Sequence, residues 1–270
     1  MDDFRRLLET LAQRVGAIAL EHQRAPRNLD IRAKGTLDFV TKADVAVETA
    51  IVAEIRARFP DDGILGEEGQ AREGSSGRIW IIDPIDGTHN FMRGLPLWGI
   101  SIGVIANGKP LAGVIHAPAM ALTVSAQAGQ GAWLNHAPLP RDGDESAANL
   151  ALVGLASKLP LAYSHWLSAF VREDLRLDER RFGAATSAIL AVALRQADIY
   201  LTFGDHIWDF AAGSAILGEV GLAHSFDWSA PLHRGMNMFV CGRAPLVTRT
   251  IAAMRRDWPK GLNASPAVAE

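Results

Sequence analysis

Cysteine is nearly missing from this chain of 270 residues, which carries only Cys241. A single cysteine excludes an internal disulfide and is typical of a protein in a reducing compartment. The start of the chain lacks a basic segment followed by an apolar run, and no uncharged apolar stretch reaches membrane-spanning length. We therefore expect a cytoplasmic protein without a membrane partner.

Several familiar functional motifs are missing as well. The eight histidines show no zinc-type spacing, and neither a Gly-x-Ser-x-Gly sequence nor a Walker phosphate-binding loop is present. A formal net charge of −3 gives no general electrostatic reason to expect a nucleic-acid partner. The composition, with 49% apolar and 21% charged residues, is ordinary for a globular protein with a sizeable core. After these exclusions, the acidic residues are the remaining candidates for a functional site.

The most informative stretch is Trp80-Ile81-Ile82-Asp83-Pro84-Ile85-Asp86-Gly87-Thr88. Its apolar beginning predicts a short strand that is buried on both faces and ends at two carboxylates. Such charges are costly without a positive partner, and no Lys or Arg follows them before Arg93, so a metal cation is the natural counterion. Glycine lets a ligand approach, and threonine can begin a short helix that receives phosphate. A metal-and-phosphate site and a plain turn built on Asp-Pro and Asp-Gly both remain open from these residues.

Other acidic positions also have a structural and a chemical interpretation. Thr41-Lys42-Ala43-Asp44 has the form of a capping box, and its carboxylate can also accept a proton. Glu67 and Glu68 would ordinarily be solvated. The flexible Gly- and Ser-rich stretch at residues 70–77 leads directly into the strand that begins at Trp80, so Glu67 can lie beside Asp83. Asp209 suits the dipole of the helix that it begins, although a carboxylate is unusual at the head of a helix that is apolar nearly all round.

The remaining sequence predicts a mixture of helices and strands. Helices are expected over residues 2–23, 43–59, 162–172, 183–197, 208–221 and 245–258. Strands are expected near residues 29–31, 100–104, 111–116, 122–126, 132–134, 151–154, 198–203, 222–226 and 236–241. Asn107-Gly108 indicates a hairpin, and the charged run at residues 172–181 indicates a solvated surface. The charged residues 141–148 suggest a boundary between an N-terminal α+β subdomain (1–142) and a C-terminal α/β subdomain (143–270).

Three short motifs are specific in combination. They are Gly66-Glu67-Glu68, Asp83-Pro84-Ile85-Asp86-Gly87-Thr88 and Trp208-Asp209-x-Ala211-Ala212-Gly213. Together, and in their order and spacing over nearly the whole chain, they resemble the inositol monophosphatase family of magnesium-dependent, lithium-sensitive phosphatases. The resemblance implies an α+β fold layered as an α-β-α-β-α sandwich, and a homodimer.

The resemblance also implies roles for individual residues. The ligands of two or three Mg²⁺ ions would be Glu67, Asp83, the carbonyl of Ile85, Asp86 and Asp209. Glu68 would support this shell, the backbone of Gly87 and Thr88 would bind the phosphate, and Thr88 with Asp44 would orient the attacking water. These are oxygen ligands, which magnesium prefers. The complete acidic set favours an active enzyme, because unpaired acids destabilise a fold.

The substrate is the point at which this chain departs from the family. The resemblance implies that Ala184, Ala185 and Asp209 contact the substrate, and the two alanines match the small residues that the family places beside it. Members that act on inositol phosphates have a glutamate seven residues before this aspartate, where Thr202 stands here, and Asp205 lies three positions away. We therefore expect a magnesium-dependent phosphate monoesterase acting on a small phosphorylated polyol such as inositol monophosphate.

Three alternatives accompany this expectation. Residues 90–98 also look like the histidinol-phosphate phosphatase branch of the family, and a third branch removes the 3′-phosphate of adenosine bisphosphates. Some relatives are binding partners of the transcription machinery, so a regulatory protein with residual activity is the alternative from a different functional class.

Overall fold

The computed structural model describes residues 4–25, 29–35, 38–141, 148–156 and 159–257. The described α-helices are α1 (Phe4–Arg24), α2 (Lys42–Arg58), α3 (Thr88–Met92), α4 (Leu161–Ala169), α5 (Ala185–Ala193), α6 (Ile207–Glu219) and α7 (Ala244–Asp257). A 3₁₀ turn at Pro118–Met120 and a π-helical turn at Phe170–Leu175 complete the described helical structure. None of these helices has the length and apolarity required to span a membrane.

The strands form two large sheets and one small ribbon. In the first half they are β1 (Arg32–Gly35), β2 (Asp38–Val40), β3 (Gly63–Gly66), β4 (Ala71–Arg72), β5 (Arg78–Asp86), β6 (Gly99–Ala106), β7 (Lys109–Ala117), β8 (Leu122–Gln127), β9 (Ala132–Leu134) and β10 (Ala137–Leu139). In the second half they are β11 (Leu150–Leu155), β12 (Asp178–Arg180), β13 (Ile199–Asp205), β14 (Ala223–His224) and β15 (Asn237–Gly242).

The eight-stranded sheet has the order β10-β9-β8-β7-β6-β5-β3-β4, and the five-stranded sheet has the order β12-β11-β13-β15-β14. The first sheet is antiparallel except where β3 runs parallel to β5. In the second sheet β11 runs parallel to both of its neighbours. The ribbon consists of β1 and β2.

Helices cover the outer faces of both sheets and fill the space between them. The alternation of side chains along β5 shows the first layers: Trp80 and Ile82 pack with α1 and α2, whereas Ile81 packs on the opposite face with α5 and α6. Burying one such side chain contributes roughly 1.5–3 kcal/mol to stability. A third core lies beyond the second sheet, where α4 and α7 pack. The layers follow the order α-β-α-β-α, which confirms the predicted sandwich and the strand that is buried on both faces.

The local predictions are confirmed for most elements and wrong at a few. The hairpin at Asn107-Gly108 joins β6 to β7 as predicted. The first strand, by contrast, begins at Arg32 and not near residues 29–31, and β10 was not predicted. The charged side chains of the predicted solvated run at residues 172–181 are mostly exposed as expected, but Leu175 and Leu177 are buried and β12 pairs with β11 as an edge strand. All three residues of β12 are charged, which hides this short strand in a composition-based assignment.

Two predictions fall partly outside the described residues. Most of the suggested subdomain boundary, residues 142–147, is among them, so the division into residues 1–142 and 143–270 stays a prediction. The predicted end of the last helix at residue 258 lies outside as well.

Candidate metal centre

The carboxylates of Asp83, Asp86 and Asp209 converge where the C-terminal end of β5 meets the start of α6. One oxygen from each lies within 4.8 Å of the others, so the trio could hold a metal ion. Strict alternation along β5 would place residues 83 and 86 on opposite faces, but the ladder to β6 shifts between Asp83, which faces Ser101, and Asp86, which faces Gly99. This bulge adds one residue and returns the second carboxylate to the face of the first.

Sequence reasoning predicted a strand that ends at the two carboxylates, and β5 includes both and ends at the second, Asp86. Pro84 lies within the bulge, where the missing N–H costs no regular ladder bond. The bulge therefore explains why the pattern of residues looked like a strand end followed by a turn.

The three neighbouring carboxylates concentrate negative charge. Burial raises the pKa of Asp83 well above its ordinary value, and the neighbouring charges of Glu67, Asp86 and Asp209 raise it further. Burial also raises the pKa of Asp209, and the negative charges of Asp205 and Asp86 raise it further. Oδ1 of Asp83 is buried and accepts no hydrogen bond from any described residue. A cation would satisfy this oxygen and remove the repulsion among the carboxylates.

Asp86 is fixed by the first residues of α5. Its Oδ2 accepts hydrogen bonds from the backbone nitrogen and the hydroxyl of Thr186, at 2.6 and 2.5 Å. Burial nevertheless raises the pKa of Asp86 to about 6, because the two hydrogen bonds offset only part of the desolvation. Sequence reasoning did not identify Thr186 as a partner of Asp86.

Glu67 and Glu68 follow β3, and both contact a lysine that sequence reasoning missed. Nζ of Lys34 lies 3.0 Å from Oε1 of Glu67 and also donates to Oε1 of Glu68. Burial raises the pKa of Glu67, although Lys34 opposes this shift, and its carboxyl group lies close enough to Asp83 for the two to share a hydrogen bond. Burial likewise raises the pKa of Glu68 to about 7. No lysine is close to the aspartates in sequence, but Lys34 reaches the glutamates from the β1–β2 ribbon.

A buried acid of α2 holds the loop that carries these glutamates. The side chain of Glu48 is almost fully buried and accepts hydrogen bonds from the backbone nitrogens of Glu68, at 2.8 Å, and Gln70, at 3.1 Å. Gly66 leaves room for it, because a Cβ there would lie 2.6 Å from the Glu48 carboxylate. Glu48 is a second residue that sequence reasoning did not single out.

The same loop is held from the other side by Arg234, which lies between β14 and β15. Its Nη2 donates to the carbonyl oxygens of Gly66, at 2.7 Å, and Glu67, at 3.1 Å. Its guanidinium stacks over the ring of Trp208 at 5.1 Å from the ring centroid. This one side chain thus connects the Gly-Glu-Glu loop to the start of α6, which carries Asp209.

The capping box at the start of α2 is confirmed. Oδ2 of Asp44 accepts hydrogen bonds from the backbone nitrogen and the hydroxyl of Thr41, at 2.9 and 2.6 Å. Its other oxygen is buried and has no hydrogen-bond partner among the described residues. Burial raises the pKa of Asp44 to about 6, against these hydrogen bonds. The hydroxyl of Thr88 donates instead to the carbonyl oxygen of Ile85, at 3.2 Å.

A cavity of about 230 Å³ adjoins the trio. Asp86, Ala184, Ala185 and Asp205 line it together with Arg181 and neighbouring residues of β11 and β13. Gly87 has a φ of +85° and lies so close to this wall that a Cβ would come within 2.8 Å of the Cβ of Ala184. The small residues therefore lie beside the acidic cluster and keep the cavity open. Thr202 lies behind the wall and is fully buried.

The donors of the cluster suit a hard cation. Carboxylate and carbonyl oxygens are the ligands that magnesium, calcium and manganese prefer, and no histidine or cysteine belongs to the described cluster. A Mg²⁺ ion fits the donor set, the unsatisfied oxygen of Asp83 and the raised carboxyl pKa values.

Comparisons with known proteins agree with this geometry. A Thermotoga maritima protein named fructose-1,6-bisphosphatase/inositol-1-monophosphatase is 35% identical over 211 residues, which cover 78% of this chain and 80% of that protein. The Escherichia coli K12 protein named Nus factor SuhB is 32% identical over 252 residues, which cover 91% and 93%. The crystal structure of extragenic suppressor protein SuhB from Bartonella henselae aligns with a TM-score of 0.83 at 25% identity, over 95% of this chain and all of that one.

The family itself is shown by a match over nearly the whole sequence. The model of the inositol monophosphatase family matches residues 1–265, a span that includes all three acidic motifs. The chain belongs to the inositol monophosphatase family.

Proposed function

We propose that this protein is a magnesium-dependent phosphate monoesterase that hydrolyses a small phosphorylated polyol. The observation that carries the proposal is the clustered trio Asp83, Asp86 and Asp209, whose member Asp86 lines a cavity of small-molecule size. Three carboxylates this close do not all ionise without a cation, and a bound metal would relieve the cost of holding them together. The activities in the name of the Thermotoga maritima relative, at 35% identity, support a phosphate ester as the substrate.

Magnesium would be held by Glu67, Asp83, the carbonyl of Ile85, Asp86 and Asp209, with Glu68 in support. Bound magnesium supplies positive charge that neutralises the phosphate oxygens and makes water a better nucleophile at neutral pH. Lys34 opposes the rise in the pKa values of Glu67 and Glu68 that burial causes, because its ammonium is hydrogen-bonded to both. Thr186 keeps Asp86 oriented toward the cluster through its two hydrogen bonds.

Other residues would bind the phosphate and manage a proton. The backbone N–H groups of Gly87 and Thr88 would bind phosphate oxygens beside the cavity. Asp44 has a pKa of about 6 and one oxygen without a described partner, so at pH 7 it is largely ionised and could accept a proton. Thr88 would orient the attacking water toward the phosphorus atom with Asp44 as the base. Positioning and charge stabilisation of this kind are the means by which enzymes accelerate phosphoryl transfer.

Phosphate release from three esters tests the proposal. Inositol 1-phosphate, histidinol phosphate and adenosine 3′,5′-bisphosphate would each be incubated with magnesium, with a chelator, and with magnesium plus lithium. We expect magnesium-dependent turnover, inhibition by lithium, and one ester with a clearly higher kcat/KM. Asp86→Asn should abolish turnover and keep the circular dichroism spectrum, whereas the exposed control Asp227→Asn should retain both. Full magnesium-dependent activity of Asp86→Asn would contradict the site assignment.

The resemblance to the family also suggests further properties that remain proposals. We expect a homodimer, which sedimentation of the purified chain tests directly. Cytoplasmic localisation is expected from the composition, and fractionation of expressing cells tests it.

A regulatory binding protein is the second candidate function. It is favoured by one observation, that relatives such as the Escherichia coli protein at 32% identity are named Nus factor. A partner complex that co-purifies equally with the unmodified chain and with Asp86→Asn, in the absence of phosphatase activity, would favour this candidate over the enzyme.

A further inference from the structure

A second bulge lies on the far wall of the cavity, at the end of β13. Phe203 faces Met238 of β15 and Asp205 faces the next residue, Asn237, so β13 contains one extra residue. That residue is Gly204, whose φ of +96° is a conformation that favours glycine. Simple alternation would place the side chain of residue 205 on the face of the sheet opposite to residues 200 and 202. The bulge places it on the same face as those two residues.

The carboxylate of Asp205 is fixed there by two hydroxyl groups. The hydroxyl of Tyr200 donates to Oδ2 and that of Thr202 donates to Oδ1, both at 2.8 Å. Gly154 of β11 leaves the space that they need, since a Cβ there would lie 2.5 Å from both hydroxyl oxygens. Tyr200 and Thr202 are both buried; Tyr200 forms part of the cavity wall, whereas Thr202 lies behind it and does not line the cavity. Their two hydroxyl groups therefore hold the carboxylate of Asp205 in one orientation.

No protein cation neutralises this acid within the described part of the chain. Asp205 forms no ion pair there, although it lies in the same cavity wall as Asp86 and its charge raises the pKa of Asp86 and of Asp209. Each carboxylate oxygen accepts one protein hydrogen bond and retains a lone pair for another donor. Because Asp205 lines the cavity, these acceptors face the space in which the alcohol portion of a phosphate ester would lie.

We propose that Asp205 recognises the substrate by accepting hydrogen bonds from two neighbouring hydroxyl groups of a phosphorylated polyol. The inference rests on the proposed function and names its specificity residue. Thr202, which stands at the position where the family has a glutamate, then acts as a positioning residue for Asp205 and does not touch the substrate. A vicinal diol matches the two oxygens of a carboxylate.

The ratio of two specificity constants tests the proposal. We would measure kcat/KM at saturating magnesium for inositol 1-phosphate and for para-nitrophenyl phosphate, an ester without hydroxyl groups. Asp205→Asn replaces one of the two acceptor oxygens with an amide nitrogen that can only donate. The loss of one hydrogen bond to a charged acceptor corresponds to about 10- to 100-fold, so the ratio of kcat/KM for inositol 1-phosphate to that for para-nitrophenyl phosphate should fall by this factor. Asp227→Asn is the matched control, because this exposed aspartate also accepts hydrogen bonds from a serine, and its ratio should stay unchanged.

Substitutions at Thr202 separate positioning from packing. Thr202→Val should raise KM for the polyol ester and leave kcat nearly unchanged, whereas Thr202→Ser keeps the hydroxyl and should restore KM. Magnesium titration calorimetry of each variant would show whether the metal affinity has changed.

Three outcomes would overturn the inference. An equal loss with both esters in Asp205→Asn would mean that the residue acts on the metal cluster or on folding. A preference of the unmodified protein for histidinol phosphate that disappears in Asp205→Asn would mean that the acid binds an ammonium group. If no ester is hydrolysed at all, the proposed function fails, and calorimetric binding of inositol 1-phosphate decides this inference: weaker binding to Asp205→Asn supports it, and equal binding overturns it.

Discussion

One oxygen of Asp86 accepts hydrogen bonds from both the backbone nitrogen and the hydroxyl of Thr186, although the residues are 100 positions apart. The contact joins the end of β5 to the start of α5, and so connects the first sheet to the helical layer between the sheets. It leaves the other oxygen of Asp86 available to the acidic cluster. The two hydrogen bonds stabilise the ionised form of a carboxyl group whose pKa burial raises to about 6.

Thr186→Val should therefore weaken magnesium binding. The substitution keeps the shape of the buried side chain and removes one donor to a charged acceptor, which corresponds to roughly a tenfold loss of affinity. Thr250→Val is the matched control, because the Thr250 hydroxyl is buried without a described partner, and its loss should be neutral or slightly stabilising. Calorimetric titration with magnesium at pH 7 measures both. Equal affinities of the two variants would show that the Thr186 hydroxyl does not support the site.

Without magnesium, the protein should lose stability as the pH rises from 6.5 to 8. Burial and neighbouring charges raise the pKa values of Asp83 and Asp209 well above normal, and burial raises that of Glu68 to about 7. The native state therefore binds more protons than the unfolded chain in this range, and the free energy of unfolding falls with increasing pH. His224 has the opposite effect, since burial lowers its pKa to about 4, but only below its ordinary value of 6.5.

Thermal melts in chelator at the two pH values measure this slope. Saturating magnesium should raise the Tm more at pH 8 than at pH 6.5, because it replaces the protons that the cluster otherwise retains. A Tm in chelator that increases with pH over this range would contradict the assignment of excess negative charge to the cluster.

The parts of the site that the sequence predicts are those encoded in contiguous residues. The stretch from Trp80 to Thr88 shows a buried strand followed by acids, and the capping box at Asp44 depends on four consecutive positions. The layered fold could be predicted because the three acidic motifs occur in the order and spacing of one family.

The supporting contacts could not be predicted in the same way, because they join distant segments. Lys34 contacts Glu67 from a ribbon 33 positions earlier in the chain. The two bulges that place Asp86 and Asp205 depend on the pairing of β5 with β6 and of β13 with β15, and a single strand sequence does not specify that pairing. Thr202 could be recognised as a departure from the family, but its hydrogen bond to Asp205 required the structure.

Gly66→Ala should disturb the loop of Glu67 and Glu68. The added methyl group would lie 2.6 Å from the Glu48 carboxylate, which must then move away from its two backbone donors. Losing them costs about 1–3 kcal/mol, and the displaced glutamates should bind magnesium more weakly. Gly218→Ala, in α6, meets no atom within 4 Å and should be neutral or stabilise the helix by about 0.5–1 kcal/mol. Thermal melts and magnesium calorimetry of both variants test this, and similar results for the two would exclude a role for the close contact at Gly66.

Arg234→Ala should lower the affinity for magnesium, and Arg234→Lys should not restore it. Arg234 donates to two carbonyl oxygens of the Gly-Glu-Glu loop and stacks on Trp208, so it aligns Glu67 with the helix that carries Asp209. A lysine keeps the charge but lacks the planar fork that forms both hydrogen bonds and the stacking contact together. Both Arg234→Ala and Arg234→Lys should therefore bind magnesium about two- to tenfold more weakly, as expected for the loss of one or two ordinary hydrogen bonds. Arg72→Ala, which removes an exposed arginine from the neighbouring strand β4, controls for the general effect of one positive charge. If the control weakens binding equally, or if the lysine variant retains full affinity, Arg234 acts only through its charge and not through the geometry of its contacts.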